Sequence, residues 1–361
     1  MNKLKMIKLI VLGDVILAIL VLLWWLARPG YVDAAAWTPP PAPALSGPTT
    51  PNQLLLGAEL LAQGQLLGPE DIAVDSSGLV YAGTQDGLIV RVRPDGTLET
   101  WANTGGRPLG LDWDPDGRLI VADAYKGLLS LDADGQITAL TTGLDGEAFG
   151  FTDDVDVASD GQVYFTDASN KFSQGDYALD LLELRPHGSL LVYDPASDTT
   201  RKLLGGLFFA NGVALSSDES FLLVNETWKY RILRYWLKGE RAGQHEVFID
   251  NLPGFPDGVS GNGKGIFWVA LPSPRKADVD KMHGMPWLKN AVAKLPDWMR
   301  PKAVEYGLVL ALDETGAIVA SYHDPAGHHL REITSVEEHD GYIYLGSLGN
   351  DRIGRLKLAT P

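Results

Sequence analysis

The chain has 361 residues, a net charge of −16 and no cysteine. Such an acidic surface repels phosphates, which argues against nucleic acid as a partner, and it suits divalent cations. The missing thiol excludes disulfides, thiolate zinc sites, iron–sulfur clusters and cysteine nucleophiles.

The first eight residues, MNKLKMIK, carry Lys3, Lys5 and Lys8. From Leu9 to Leu26 there follow 18 residues whose only charge is Asp14. That run is just long enough to span a bilayer, with Trp24, Trp25 and Arg28 where interface residues belong. The lysine bias predicts a cytoplasmic segment 1–8 and a single transmembrane helix over 9–27. The rest would lie on the periplasmic or extracytoplasmic side of a bacterial-type inner membrane. A cleaved signal peptide, processed at DAAAW (33–37), is the alternative, and the length of the apolar run favours the anchor. Residues 28–52, with TPPPAPALSGPTTP, read as an extended Pro-rich linker.

Residues 53–361 are rich in short apolar alternations broken by Gly and Asp turns, an all-β pattern. One frame recurs: IAVDSSGLVYAG, LDWDPDGRLIVAD, VDVASDGQVYFTD, VALSSDESFLLVN, VSGNGKGIFWVAL and VEEHDGYIYLGS. Its turn-closing residues are Gly78, Gly117, Gly161, Glu219, Gly265 and Gly341, with Gly263 an equal candidate in the fifth turn. Spacings of 39, 44, 58, 46 and 76 residues fit four-stranded blades with two insertions, 170–188 and 276–305. The expected fold is a six-bladed β-propeller with a short helical insertion in blade five.

Eight residues before the markers stand Glu70, Leu109, Asp153, Asn211, Asp257 and Ile333. The first strand of each blade lines the channel, so these positions form a ring at one end of the axis. Four of them carry side-chain oxygen. Glu70, Asp153, Asn211 and Asp257 are therefore expected to hold a hard dication, Ca²⁺ first and Mg²⁺ or Mn²⁺ next. Six residues after the markers a second ring includes Asp123 and Asp167. With Asp154 these are expected to surround the metal or line a substrate pocket. His328 and His329 precede the sixth inner strand, where they either overhang the mouth or lie in a solvent-exposed loop. His339 falls at the opposite end. There is no G-x-S-x-G, so no serine-hydrolase route is expected.

These motifs carry a family resemblance. GRPLGLDWDPDGRLIVADAYKGLL (106–129), FTDDVDVASDGQVYFTDASNKF (151–172), FFANGVALSSDESFLLVNET (208–227), LPGFPDGVS (252–260), SYHDPAG (321–327) and EEHDGYIYLGS (337–347) resemble the calcium-dependent six-bladed propellers. That group includes regucalcin, gluconolactonase, paraoxonase and strictosidine synthase-like proteins. Among them the chain is most similar to the adipocyte plasma membrane-associated type. The resemblance implies metal ligation by Glu70, Asn211 and Asp257, with Asp153 where an asparagine is common. It also implies hydrolysis of a small lactone or an aryl or carboxylic ester, with Asp257 or Asp153 as the base. Two positions depart from the group. Leu109 replaces the paraoxonase-type histidine, and Thr334 stands where true strictosidine synthases carry their catalytic glutamate, so strictosidine condensation is not expected. A membrane-tethered propeller that binds a ligand or partner, with calcium as a structural pin, remains the rival reading. The insertion 276–305, with Met282, Met285, Trp287, Leu288, Trp298 and Met299, reads as a lid, a helix packed on the propeller side, or a bilayer contact.

Overall fold

The computed structural model describes residues 3–28, 30–93 and 95–359. Six four-stranded antiparallel sheets surround one axis. Their innermost strands are Ile72–Val74, Pro108–Trp113, Thr152–Val157, Ala210–Leu215, Val259–Gly261 and Ile333–His339, for blades one to six. Blades one to five are each built from consecutive strands. Blade six takes three strands from the C-terminal end and its outermost from Glu59–Leu61, which pairs with Ile353–Lys357. The ring of blades is thereby closed by two distant parts of the chain.

Local chemistry makes the hairpins. Asp75 Oδ1 accepts the N–H groups of Ser77 and Leu79, and Asp114 Oδ1 those of Asp116 and Arg118. These aspartate-led turns end on a glycine in left-handed backbone, φ 83° at Gly78 and 79° at Gly117. In blade four Glu219 takes that conformation without being glycine, at φ 53°. Its carboxylate accepts the Ser159 N–H of the neighbouring turn at 2.8 Å, a contact that offsets the backbone cost.

Apolar faces pack blade on blade. Leu190 and Val192 of blade three, for example, meet Val213, Leu222 and Val224 of blade four. Polar groups link the blades around the axis. Asp71 Oδ2 accepts the Leu111 N–H at 2.7 Å, Asp112 Oδ2 that of Val157 at 2.8 Å, and Asp154 Oδ2 that of Val213 at 2.9 Å. Further on, Gly212 N donates to Asp257 O at 3.0 Å and Gly258 N to Thr334 O at 2.8 Å. Thr334 Oγ1 then donates to Glu70 O at 2.7 Å, completing the circuit. The glycines of the ANGV and PDG motifs are explained by this crowding. A Cβ on Gly212 would lie 2.5 Å from Asp257 O, and one on Gly258 2.4 Å from Thr334 O.

Both insertions leave between the second and third strands of their blades, at the end where the channel ring lies. The blade-three insertion holds the helix Tyr177–Glu183, and that of blade five holds Ala277–His283 and Pro286–Ala293. The Pro-rich segment is extended, yet it is tied down rather than free. Ala35 N donates to Glu183 O, Trp37 N to His283 O, Arg275 Nη2 to Pro40 O and Lys289 Nζ to Ala35 O. Its peptide carbonyls, unpaired in an extended proline-rich chain, are what Arg275 and Lys289 bind.

The N-terminal apolar run lies on the helix Lys3–Ala27. The expectation of a bilayer-spanning helix over 9–27 is not met: among the described residues no helix is long and apolar enough to cross a membrane. Lys3, Lys5, Lys8 and Asp14 place charge in its first half.

Candidate functional site

Glu70, Asp153, Asn211 and Asp257 stand on four blades and line one channel of about 130 Å³. Each is nine-tenths or more buried. Leu109 supplies the second blade's position. The sixth position is Thr334, not the Ile333 that counting back from the turn indicates. The first hairpin of blade six is closed by a tight turn between His339 and Tyr342. Val336 and Leu345 are therefore paired one residue closer in sequence than Ile72 and Ala82 of blade one. A count of eight overshoots by one, and Ile333 turns into the apolar core.

The ring is electrostatically strained. Burial raises the Glu70 carboxyl to about 7, opposed by the Arg107 guanidinium and reinforced by Asp71. The Asp153 carboxyl is pushed well up by burial, then by the charges of Glu70, Asp257, Asp154 and Asp167. That of Asp257 is raised by burial and Glu70, against a hydrogen bond from the Asn211 side chain. The mutual influence of carboxylates from three blades places them in one site. Glu70 Oε2 and Asp153 Oδ2 are buried with no hydrogen-bond partner.

The remaining candidates fall in three places. Asp154 lines the channel itself and spends one oxygen on the Val213 N–H. Asp123 and Asp167 clamp the entry of each inner strand: their Oδ1 atoms accept the Arg107 N–H at 3.0 Å and the Phe151 N–H at 2.7 Å. His328 and His329 lie apart from the channel, in a shallow pocket with Gln53, Leu56 and Asp324. The His329 ring pairs with Ala58 O, and Asp324 is occupied by the N–H groups of its own loop.

Counting from the turns missed a lower tier of acids in the same channel, Asp71, Asp112, Asp156 and Glu337. Asp71 and Asp156 are raised to about 6 and Asp112 and Glu337 well above their usual range, in each case first by burial. Their signal was present: Asp71 follows Glu70 directly, as the expected Asp154 follows Asp153, and Asp112, Asp156 and Glu337 stand three beyond Leu109, Asp153 and Thr334. Also missed was Arg107, a buried cation beside Glu70.

As the side chains stand, among the described residues no group of three or more His, Asp or Glu is set to hold a metal ion. The donor set still fits a hard dication. It is all oxygen, it holds three carboxylates whose like charges destabilise one another, and two of its buried oxygens accept no hydrogen bond.

Known proteins bear on this site. The family model described as strictosidine synthase matches residues 153–240, and that described as strictosidine synthase-like, N-terminal, matches 47–92. Protein STRICTOSIDINE SYNTHASE-LIKE 6 of Arabidopsis thaliana is 40% identical over 319 residues, covering 86% of this chain and 84% of that protein. The chain belongs to the strictosidine synthase-like family. Adipocyte plasma membrane-associated protein of Homo sapiens is 38% identical over 340 residues, covering 88% of this chain and 81% of its own length. Among solved structures, a gluconolactonase from Xanthomonas campestris superposes with a TM-score of 0.63 at 18% identity, covering 92% of this chain and 99% of that one. Regucalcin from Agrobacterium tumefaciens, described as a calcium-binding protein, superposes with a TM-score of 0.57 at 18% identity, over 81% and 90% of the two chains. At such identities the superpositions establish the shared propeller and no more. In this strictosidine synthase-like chain the ring position of blade six holds the hydroxyl of Thr334, which is engaged with the Glu70 carbonyl.

Proposed function

We propose that the ring binds a divalent cation, calcium by preference, and that the protein hydrolyses lactones or activated aryl or carboxylic esters. The observation that carries this reading is the set of carboxylates from three blades facing one channel, with two buried oxygens that accept no hydrogen bond. The gluconolactonase and regucalcin likenesses support it. Glu70, Asp153, Asn211 and Asp257 would hold the cation. When bound, it supplies charge that polarises an ester carbonyl and balances the developing oxyanion.

The chain's own groups do the rest. Asp257 or Asp153 takes the proton of the attacking water at a carboxylate oxygen. Leu109 and the aromatic wall of Phe151, Phe209 and Trp228 beside it exclude further water. With a threonine at position 334, no carboxylate stands there to serve a strictosidine-type condensation.

A second reading has its own support. Asp71, Asp112 and Asp154 spend carboxylate oxygens on stitching neighbouring blades, which is a structural use of acid in the same channel. A cation there would act as a pin in a non-catalytic binding propeller. The full chain, purified in detergent, separates the two. Turnover of a panel of lactones and aryl esters that is lost to a chelator, restored by calcium and absent in Asp257→Ala supports the hydrolase. Chelator-sensitive melting without any turnover supports the pin.

We further propose that the helix Lys3–Ala27 associates with a membrane. Its described apolar side chains, Ile10, Leu12, Leu17, Leu20 and Trp24 among them, are exposed, which water penalises. A 38%-identical relative is named for its association with the plasma membrane.

A further inference from the structure

We infer that the blade-five insertion is a membrane-docking surface, which lays the ring end of the propeller against the headgroup layer of a phospholipid bilayer. This rests on the reading of the N-terminal helix as membrane-associated, and it adds a second, independent contact and an orientation.

The helix Pro286–Ala293 packs Leu288, Val292 and Ala293 inward, yet two of its residues are placed against the usual rule. Its Lys289 is fully buried, with Nζ bonded to Ala35 O at 2.6 Å, while its Trp287 is 68% exposed. The exposed indole is costly in water and favourable at an interface that accepts indole rings. Further along the same insertion Trp298 is 74% and Met299 49% exposed. Exposed large apolar side chains gathered on one insertion mark a partner.

Two observations choose the partner. The first is continuity with the apolar helix. Lys294 Nζ binds the main-chain oxygens of Trp25 at 3.2 Å and Arg28 at 2.6 Å, which fixes the foot of that helix to the insertion. Trp24 and Tyr31, at that foot, are 60% and 71% exposed. The second is charge. With Lys289 buried, the segment from Met285 to Ala303 still carries Lys294, Arg300 and Lys302 against Asp297 alone, in a chain of net charge −16. A locally basic, tryptophan-bearing surface beside an apolar helix matches an anionic lipid interface. Because the insertion lies at the ring end, docking would bring ligands to the channel from the lipid–water boundary.

The absence of cysteine makes the test clean. In the full chain, Trp298→Cys, Trp287→Cys, Leu17→Cys on the helix and Ser76→Cys on the far end of blade one are each labelled with bimane. Each protein is reconstituted into phosphatidylcholine vesicles containing phosphatidylglycerol and a headgroup-nitroxide lipid. The proposal expects both tryptophan-site probes to be quenched several-fold more than the Ser76 probe. A quenched Leu17 probe with water-like Trp298 and Trp287 probes overturns the docking surface and leaves the helix association standing. Absence of quenching at all three sites overturns both readings. Shielding of the tryptophan sites from aqueous iodide without lipid quenching would mean a protein partner, and also overturns the proposal.

Discussion

Arg107 reaches across to Glu70: its Nη2 lies 3.5 Å from Glu70 Oε2, while Nη1 donates to the Gly68 carbonyl at 3.1 Å. Both residues are more than nine-tenths buried. The guanidinium is thus a built-in counter-charge at one side of the ring. Arg107→Met would leave the carboxylate unbalanced. The expected loss of stability in chelator is about 3 kcal/mol, the usual size for breaking a buried pair. Calcium should then raise the melting temperature by more than it does in the unmodified chain. Equal calcium shifts in the two proteins would show that Arg107 does not share the charge of the ring.

Asp153 gives the opposite test. Its carboxyl is destabilised by the charges of Glu70 and Asp257 as well as by burial. Asp153→Asn removes a like charge and keeps the shape. Without cations the variant is expected to melt above the parent; with saturating calcium it is expected to melt below it. Thermal melts in chelator and in calcium read the crossing. Melting below the parent in both conditions would count against electrostatic strain in the ring.

Stability should depend on pH in a defined window. Asp156, Asp167 and Asp180 are raised to about 6, first by burial. In the unfolded chain an aspartate titrates near 3.9, so between these values the native state binds more protons than the unfolded one. Their contribution is complete below the unfolded value and is lost as pH rises through about 6. Burial works to raise Asp75 and Glu183, but the sum of their hydrogen bonds, from Ser77, Leu79 and Tyr81 and from Lys171, Asp33 and His187, lowers both, so their contribution is lost only at more acid pH. In chelator the protein is therefore expected to melt higher at about pH 5 than at about pH 7.5. A melting temperature that falls steadily on acidification refutes this.

The closure of blade six rests on a short strand. Glu59, Leu60 and Leu61 pair with Arg355, Gly354 and Ile353, and Leu55 just before them is fully buried in the core of blades five and six. A chain beginning at Asn52 keeps both; one beginning at Ala62 loses both. The shorter chain is expected to be less stable by at least 3 kcal/mol, summing ladder hydrogen bonds and one buried leucine. Limited proteolysis should cut it near Ile353–Lys357. Equal protease resistance of the two chains would mean that the strand does not hold the ring shut.

Much of the site was legible in the sequence. Glu70, Asp153, Asn211 and Asp257 could be found because each belongs to a hairpin whose turn is written in a few adjacent residues. A fixed count from such a turn lands on the same rung in each of those blades. Blade six broke the count because its turn is tighter, and no other blade's spacing reports that. For His328 and His329, which precede an inner strand, the sequence left both the mouth and an exposed loop open, and the structure places them in the loop. The connection from the outermost strand back to the axis is long enough to leave them at the rim.

What the sequence by itself determined is the repeat: strand period, turn chemistry and the polar rung near the start of the inner strands, all set within stretches of about a dozen residues. What only the tertiary structure decided is every relation between blades. The choice of Thr334 for the sixth position, the use of Asp71, Asp112 and Asp154 as stitches, the counter-charge of Arg107 and the tying of residues 31–41 to the roof all depend on which surfaces meet when the ring closes. Local hydrogen bonding specifies a hairpin without reference to its neighbours. Burial and charge interaction exist only once the blades surround a common axis, and they have no local signature to be read in advance.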